Sequence, residues 1–168
     1  LIFPLAAHAQ GTATLVADSV TVTGERVLTA DGNVQVLYDG TTLSARAITY
    51  DGTTDRLDIA GPILIRAADG TILTADRATL DPRLENGILR GARLVLDRRL
   101  QLAAARIDRA DGRFTQLTQS AVTSCRVCGT RAPLWSIRAA RVIHDEVERQ
   151  IYFEDATFRI RGVPVAWL

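Results

Sequence analysis

The chain has 168 residues, 47% of them hydrophobic, and a formal net charge of +1, which is enough apolar material for one sizeable core and one domain. Acidic and basic residues are scattered and every basic residue is Arg, so there is no basic patch of the kind that binds nucleic acid. No internal stretch reaches the ~18 apolar residues of a transmembrane helix, and an aromatic content of 5% is low for the girdles of a membrane barrel.

The opening run Leu1 to Gln10 ends in Ala7-His8-Ala9, a small-x-small pattern that reads as the tail of a secretory signal. Residues 1–9 are therefore expected to be residual signal peptide, and 10–168 the exported domain. From there a phrase of the form aliphatic-x-Ala-x-x-apolar recurs at a ~30-residue period. It is seen at Leu15 to Val20, Leu43 to Ile48, Leu73 to Ala78, Leu102 to Ile107 and Ile137 to Val142. Between these lies a second phrase, a small residue followed by alternating apolar positions: Gly32 with Val34 and Val36, Gly61 with Ile63 and Ile65, Ala92 with Leu94 and Leu96, Ala156 with Phe158 and Ile160. Alternation of period two marks half-buried strands. Each repeat thus predicts two strands, and the fold class is all-β. The Ala103-Ala104-Ala105 segment is helix-prone, but its register is filled by Thr, Ser and Val in sister repeats, which predicts strand.

Asp39-Gly40 and Asp69-Gly70 fall between the strands of a repeat, where a two-residue loop needs positive φ. Asp31-Gly32, Asp51-Gly52 and Asp111-Gly112 are expected to punctuate further joins. The first phrase carries its apolar positions with a change of parity, as in Leu43, Ala45, Ile48 and Tyr50. A bulge or a bend across a folded sheet produces such a change, because a one-residue slip flips every later side chain. The stack then forms two apolar faces folded towards each other with small residues at the crease. Val34, Val36, Ile63, Ile65, Leu94, Leu96, Phe158 and Ile160 are the candidates to line the groove between them; a closed sandwich core would use the same alternation. The first strand, about Thr14 to Val22 with Leu15, Val16, Ala17, Val20 and Val22, copies the repeat but has no preceding strand to pair with. It is expected to be an open sheet edge that receives a partner strand, unless it folds back on the last strand or is shielded by Gln10 to Ala13.

Signs of an enzyme are missing. His144 stands alone, and Asp51, Asp81 and Asp145 share one repeat position, which points to turn formation. Cys125 and Cys128 lack the further ligands that a tetrahedral zinc site requires and follow a strand rather than open a helix, so a structural disulfide is the favoured reading for an exported chain. No metal and no cofactor are expected.

The segments Thr123-Ser124-Cys125, Trp135-Ser136-Ile137, Val142-Ile143-His144-Asp145, Asp155-Ala156-Thr157-Phe158 and Gly162-Val163-Pro164-Val165 resemble the LPS-assembly outer-membrane protein family LptD, in its N-terminal OstA/LptA-like domain. With the strand repeats, the resemblance covers essentially all of the mature chain. It implies a folded-sheet β-jellyroll on the periplasmic side of the outer membrane, whose groove takes the acyl chains of lipopolysaccharide and passes them to a C-terminal barrel. It further implies an LptA-like bridge protein joined by edge-strand addition and an LptE-like lipoprotein plugging the barrel. It also implies a disulfide from Cys125 to a cysteine of that barrel, with Cys128 either doing likewise or pairing locally. A soluble lipid carrier of the same fold and a structural β-solenoid are the alternative expectations.

Overall fold

The computed structural model describes residues 13–168 except 69, 97–99, 126–131 and 146, and the backbone but not the side chain of Leu96. The expected leader at 1–9 and Cys128 lie outside the described residues.

The described chain folds into twelve strands and one antiparallel sheet. In order they are β1 (Thr14–Val16), β2 (Ser19–Thr23), β3 (Val27–Tyr38), β4 (Thr41–Asp51), β5 (Arg56–Arg66), β6 (Ile72–Leu80), β7 (Gly87–Leu96), β8 (Leu100–Ala110), β9 (Phe114–Thr123), β10 (Trp135–Asp145), β11 (Gln150–Ile160) and β12 (Val163–Trp167). From β3 onwards each strand pairs with its sequence neighbours, so the sheet is a meander of hairpins. Local connection explains why the repeats are visible in sequence: each hairpin closes on itself before the next is added. The Ala-rich segment 103–105 is strand, within β8.

The expected change of parity is present and bends the sheet. Register shifts fall between Asp31 and Val34, Ser44 and Ala47, and Ala60 and Ile63. Alternate strands carry an unusual backbone there: φ is +48° at Asn33, +62° at Gly91, +51° at Gln119 and +50° at Asp155, and the Gly61–Pro62 peptide is cis. Each immediately precedes a buried residue, namely Val34, Ala92, Ser120, Ala156 and Ile63. A crease therefore crosses the sheet at right angles to the strands.

On the inner side the residues form cross-strand rows. One leaf carries Val36, Leu43, Ile65, Leu73, Leu94, Leu102, Val122, Ile137 and Phe158 in successive register. The other carries Ala30, Ile48, Ile59, Ala78, Leu89, Ile107, Leu117, Val142 and Phe153. Small residues fill much of the row at the crease, where Ala92 pairs with Ala104, Ala104 with Ser120, and Ser120 with Ala139. With so little volume between them the leaves approach closely, and most of these residues belong to one buried cluster.

Asp39 and Gly40 both take positive φ, +47° and +72°, between Tyr38 and Thr41, as the two-residue loop requires. Asp51-Gly52 and Asp111-Gly112 also lie at joins. Asp31-Gly32 does not: it lies inside β3 at the crease. The same demand for positive φ, met here by Gly32 at +77° and Asn33, is used to kink a strand rather than to end it. The first strand also differs from its expected form, because it breaks at Ala17-Asp18 into β1 and β2. Asp18 marks the break by bonding to the kink in β3, its N–H donating to the Gly32 carbonyl at 2.8 Å and its carboxylate accepting from Asn33 Nδ2 at 2.8 Å.

Candidate functional site: an apolar groove inside the crease

Leu73 and Leu80 both belong to β6. A straight strand would hold them about 23 Å apart on opposite faces, given ~3.3 Å per residue and period two. Both nevertheless line one cavity of about 480 Å³, with Ile65 and Leu94 from the first leaf and Leu89 and Ile107 from the second. The crease has folded the two halves of the strand over each other. The volume falls in the range of about 300–1,000 Å³ typical of ligand clefts. Leu84, in the β6–β7 turn, closes one side. The polar margin is made by Thr41, Thr71, Arg109, Thr115 and His144.

A larger depression of about 1030 Å³ crosses the outer face of the crease. Its walls include Asp76, Arg93, Arg138 and Asp155 beside small residues such as Ala103 and Ala121. The inner cavity, although smaller, is the one enclosed by large aliphatic side chains from both leaves, and it is the candidate site.

Seven of the eight sequence candidates fall on rows of inner-facing parity, but not at equivalent depth. Ile65 and Leu94 line the cavity. Val34 and Ile63, each 1% exposed, are enclosed at the crease. Val36 packs half-buried against the core. Phe158 is half-buried and stacks on Trp135, with ring centroids 6.2 Å apart and planes at 28°. Ile160 stands opposite Trp135 and is 44% exposed. Leu96 pairs with Leu100 along the backbone, and its side chain lies outside the described residues. The sequence reading missed Leu73, Leu80, Leu89 and Ile107 as lining residues. Leu73 and Ile107 stand in the first repeat phrase, but their pairing with Leu94 and Leu89 belongs to the folded sheet. His144, which stands alone in the sequence, is part of the cavity wall.

The repeated aspartates hold turns. Asp51 Oδ1 accepts the Thr53 N–H at 2.8 Å, and Asp81 Oδ1 accepts the Glu85 N–H at 2.8 Å. Asp145 accepts from the N–H groups of Val147 and Glu148 at 3.0 and 3.1 Å, and from Arg113 Nη2 at 2.6 Å. The Arg113 hydrogen bond, against some desolvation and aided by those backbone donors, holds the Asp145 carboxyl below the usual carboxylate range. A depressed folded value means that Asp145 stabilises the fold fully above its ordinary value of about 3.9 and loses that contribution as pH falls through the folded value. Asp145→Asn should therefore melt below the wild type at neutral pH, with the gap closing as the pH falls below about 4. Thermal melts of both proteins from pH 7 to pH 2.5 check this; a gap that widens in acid would contradict it.

Cys125 lies just past β9 and makes no disulfide among the described residues. The Trp135 N–H, and then the Thr123 hydroxyl, hold it below the usual thiol range. Among the described residues no group of three or more His, Cys, Asp or Glu side chains is placed to hold a metal ion. The N-terminal candidates Leu15, Val16, Val20 and Val22 are exposed and Ala17 partly so. β1 and β2 pair only with β3 among the described strands, and β12 only with β11, so the sheet has open edges at both ends.

The geometry defines a class of protein: a repeat-built, all-β domain with one creased sheet wrapped round an aliphatic groove. No protein-family model matches the chain. It is 26% identical over 153 residues to the LPS-assembly protein LptD of Saccharophagus degradans, covering 90% of this chain and 17% of that protein. The corresponding protein of Burkholderia lata is 26% identical over 163 residues, 96% of this chain and 20% of that one. That of an Acidovorax species is 28% identical over 153 residues, 88% of this chain and 18% of that one. LptH of Pseudomonas aeruginosa, described as the LptA-homologous periplasmic component of a lipopolysaccharide transport device, aligns at a TM-score of 0.33 and 12% identity over 84% of this chain and 81% of that one. Over most of its length the chain is thus a distant homologue of LptD, as the motifs of its second half suggested. It spans 17–20% of the length of those relatives.

Proposed function

We propose that this chain is the periplasmic domain of an outer-membrane lipopolysaccharide translocon, and that its inner groove accepts acyl chains and passes them towards a membrane barrel. The observation that carries this reading is the cavity lined jointly by Ile65, Leu73 and Leu94 from one leaf and Leu89 and Ile107 from the other. Acyl burial is worth about 0.8 kcal/mol per CH₂ and needs no directional contact, so an aliphatic seam holds lipid firmly without fixing its position. The inner rows continue from strand to strand past the cavity. Neighbouring positions therefore offer similar binding energies, which suits movement along the stack better than capture at one point. The domain acts by binding and not by catalysis, and the energy for net transport comes from elsewhere.

Photocrosslinking amino acids at Ile65, Leu73 and Leu94 in growing cells should capture lipopolysaccharide, whereas Arg77 and Arg90 on the outer face should not. Capture confined to the outer positions would remove the groove assignment.

In this reading the N-terminal edge joins an LptA-like bridge protein by strand addition, which satisfies the edge's backbone groups and sets the two grooves end to end. An LptE-like lipoprotein contacts the barrel, not this domain, and the thiol of Cys125 pairs with a cysteine of the barrel. Val16 pairs with Gln35 in exposed β1, so Val16→Pro disturbs the edge and leaves the later repeats intact. Its affinity for the bridge protein should fall by about tenfold or more; unchanged affinity in a pull-down would end the edge-docking idea.

A further inference from the structure

The other end of the sheet is only half covered. β11 spans Gln150–Ile160 and crosses the crease, but β12 pairs with it only from Thr157 to Ile160. The remaining half, Gln150 to Asp155, has β10 on one side and no strand on the other among the described residues. Its inner-facing side chains continue the second leaf, with Phe153 opposite Val142 and Ile151 opposite His144. They are 41% and 53% exposed, whereas Val142 one strand inward is buried. A bare edge with apolar residues beside it is a template for another strand.

The direction of the chain indicates which strand fills it. β12 runs antiparallel to β11 towards the crease, Trp167 stands opposite Thr157, and the Leu168 N–H donates to the Ala156 carbonyl at 2.8 Å. The backbone is thus already hydrogen-bonded along β11 and aimed at its uncovered half. The relatives are several times longer than this chain, which covers only 17–20% of them. We infer that the polypeptide following Leu168 continues β12 across the crease, pairs with Gln150 to Asp155, and covers Phe153 and Ile151. β12 then becomes a strand comparable with β10 and β11, which have 11 residues each, and the second leaf gains the strand that the first already has. This holds whether or not the groove carries lipid, because it rests on strand pairing alone.

The test uses the full-length protein with photocrosslinking residues at Phe153 and, separately, at Tyr152. Crosslinked peptides are mapped by mass spectrometry, and amide exchange is followed at Gln150 to Glu154. The expected result is an intramolecular crosslink to the segment within one strand length of Leu168. Exchange at those amides should slow by about tenfold or more relative to the 168-residue chain. Crosslinks to a second copy, to another protein or to lipid alone, or amides that exchange equally fast in both proteins, would overturn the inference. Both substituted positions are exposed, so misfolding of one variant leaves the other and the exchange measurement to decide.

Discussion

Leu89→Ala should destabilise the domain by about 2–5 kcal/mol, the range for removing a fully buried leucine from a core that cannot collapse around the hole. Leu89 is among the largest fully buried side chains, stands between Ala78 and Ile107, and belongs to the main buried cluster. Ala78 is already small, so the neighbouring strand offers little to fill the space. At roughly 2–4 °C per kcal/mol for a domain of this size, the midpoint should drop markedly in a thermal melt. Leu94→Ala, at a half-buried position in the same cavity, should cost less. Equal effects would mean that the two leaves are packed alike and that the cavity is ordinary core.

Gly87→Ala should be the most damaging single methyl addition, on the order of 3 kcal/mol or more, because backbone strain and a steric clash act together. Gly87 opens β7 with φ at +140° and pairs with Leu80. A Cβ there would lie 2.2 Å from the Thr79 carbonyl oxygen and 2.7 Å from the Leu80 Cα, both backbone atoms that cannot rotate away. Gly70→Ala is the control: it shares positive φ, but a Cβ there meets nothing within 4 Å. Chemical denaturation of the two variants separates the clash from the strain. Equal losses would show that the close approach at Gly87 contributes nothing.

The strands were legible because period-two alternation is written into each repeat, and the crease because Leu43, Ala45, Ile48 and Tyr50 break that period in the middle of β4. The turn at Asp39-Gly40 was legible for the same local reason, a requirement for positive φ. Asp31-Gly32 was misplaced because a hairpin loop and a bulge make the same local demand, and only the pairing of β3 with β4 on both sides of Asp31-Gly32 tells them apart. The groove was half legible. Positions after the crease on one leaf, such as Ile65 and Leu94, were found from their phrase, but their counterparts Leu89 and Ile107 face the same space only once the sheet is folded. Leu84 carried no signal, since its place depends on a turn held by Asp81 and not on any alternation. The break between β1 and β2 is marked by Asp18 reaching Gly32 and Asn33 in another strand, a contact that no local pattern encodes.

In the proposed function lipid enters between the two leaves. Methyl-resolved NMR of the domain during titration with lipopolysaccharide tests it most directly, because the leaves carry separate probes in one cavity: Ile65, Leu73 and Leu94 on one, Leu80, Leu89 and Ile107 on the other. Saturable shifts are expected at methyls of both leaves, with the outer-face methyls of Leu64 and Val95 unaffected. Shifts confined to the outer face, or inner methyls that stay unmoved while lipid binds, would contradict it.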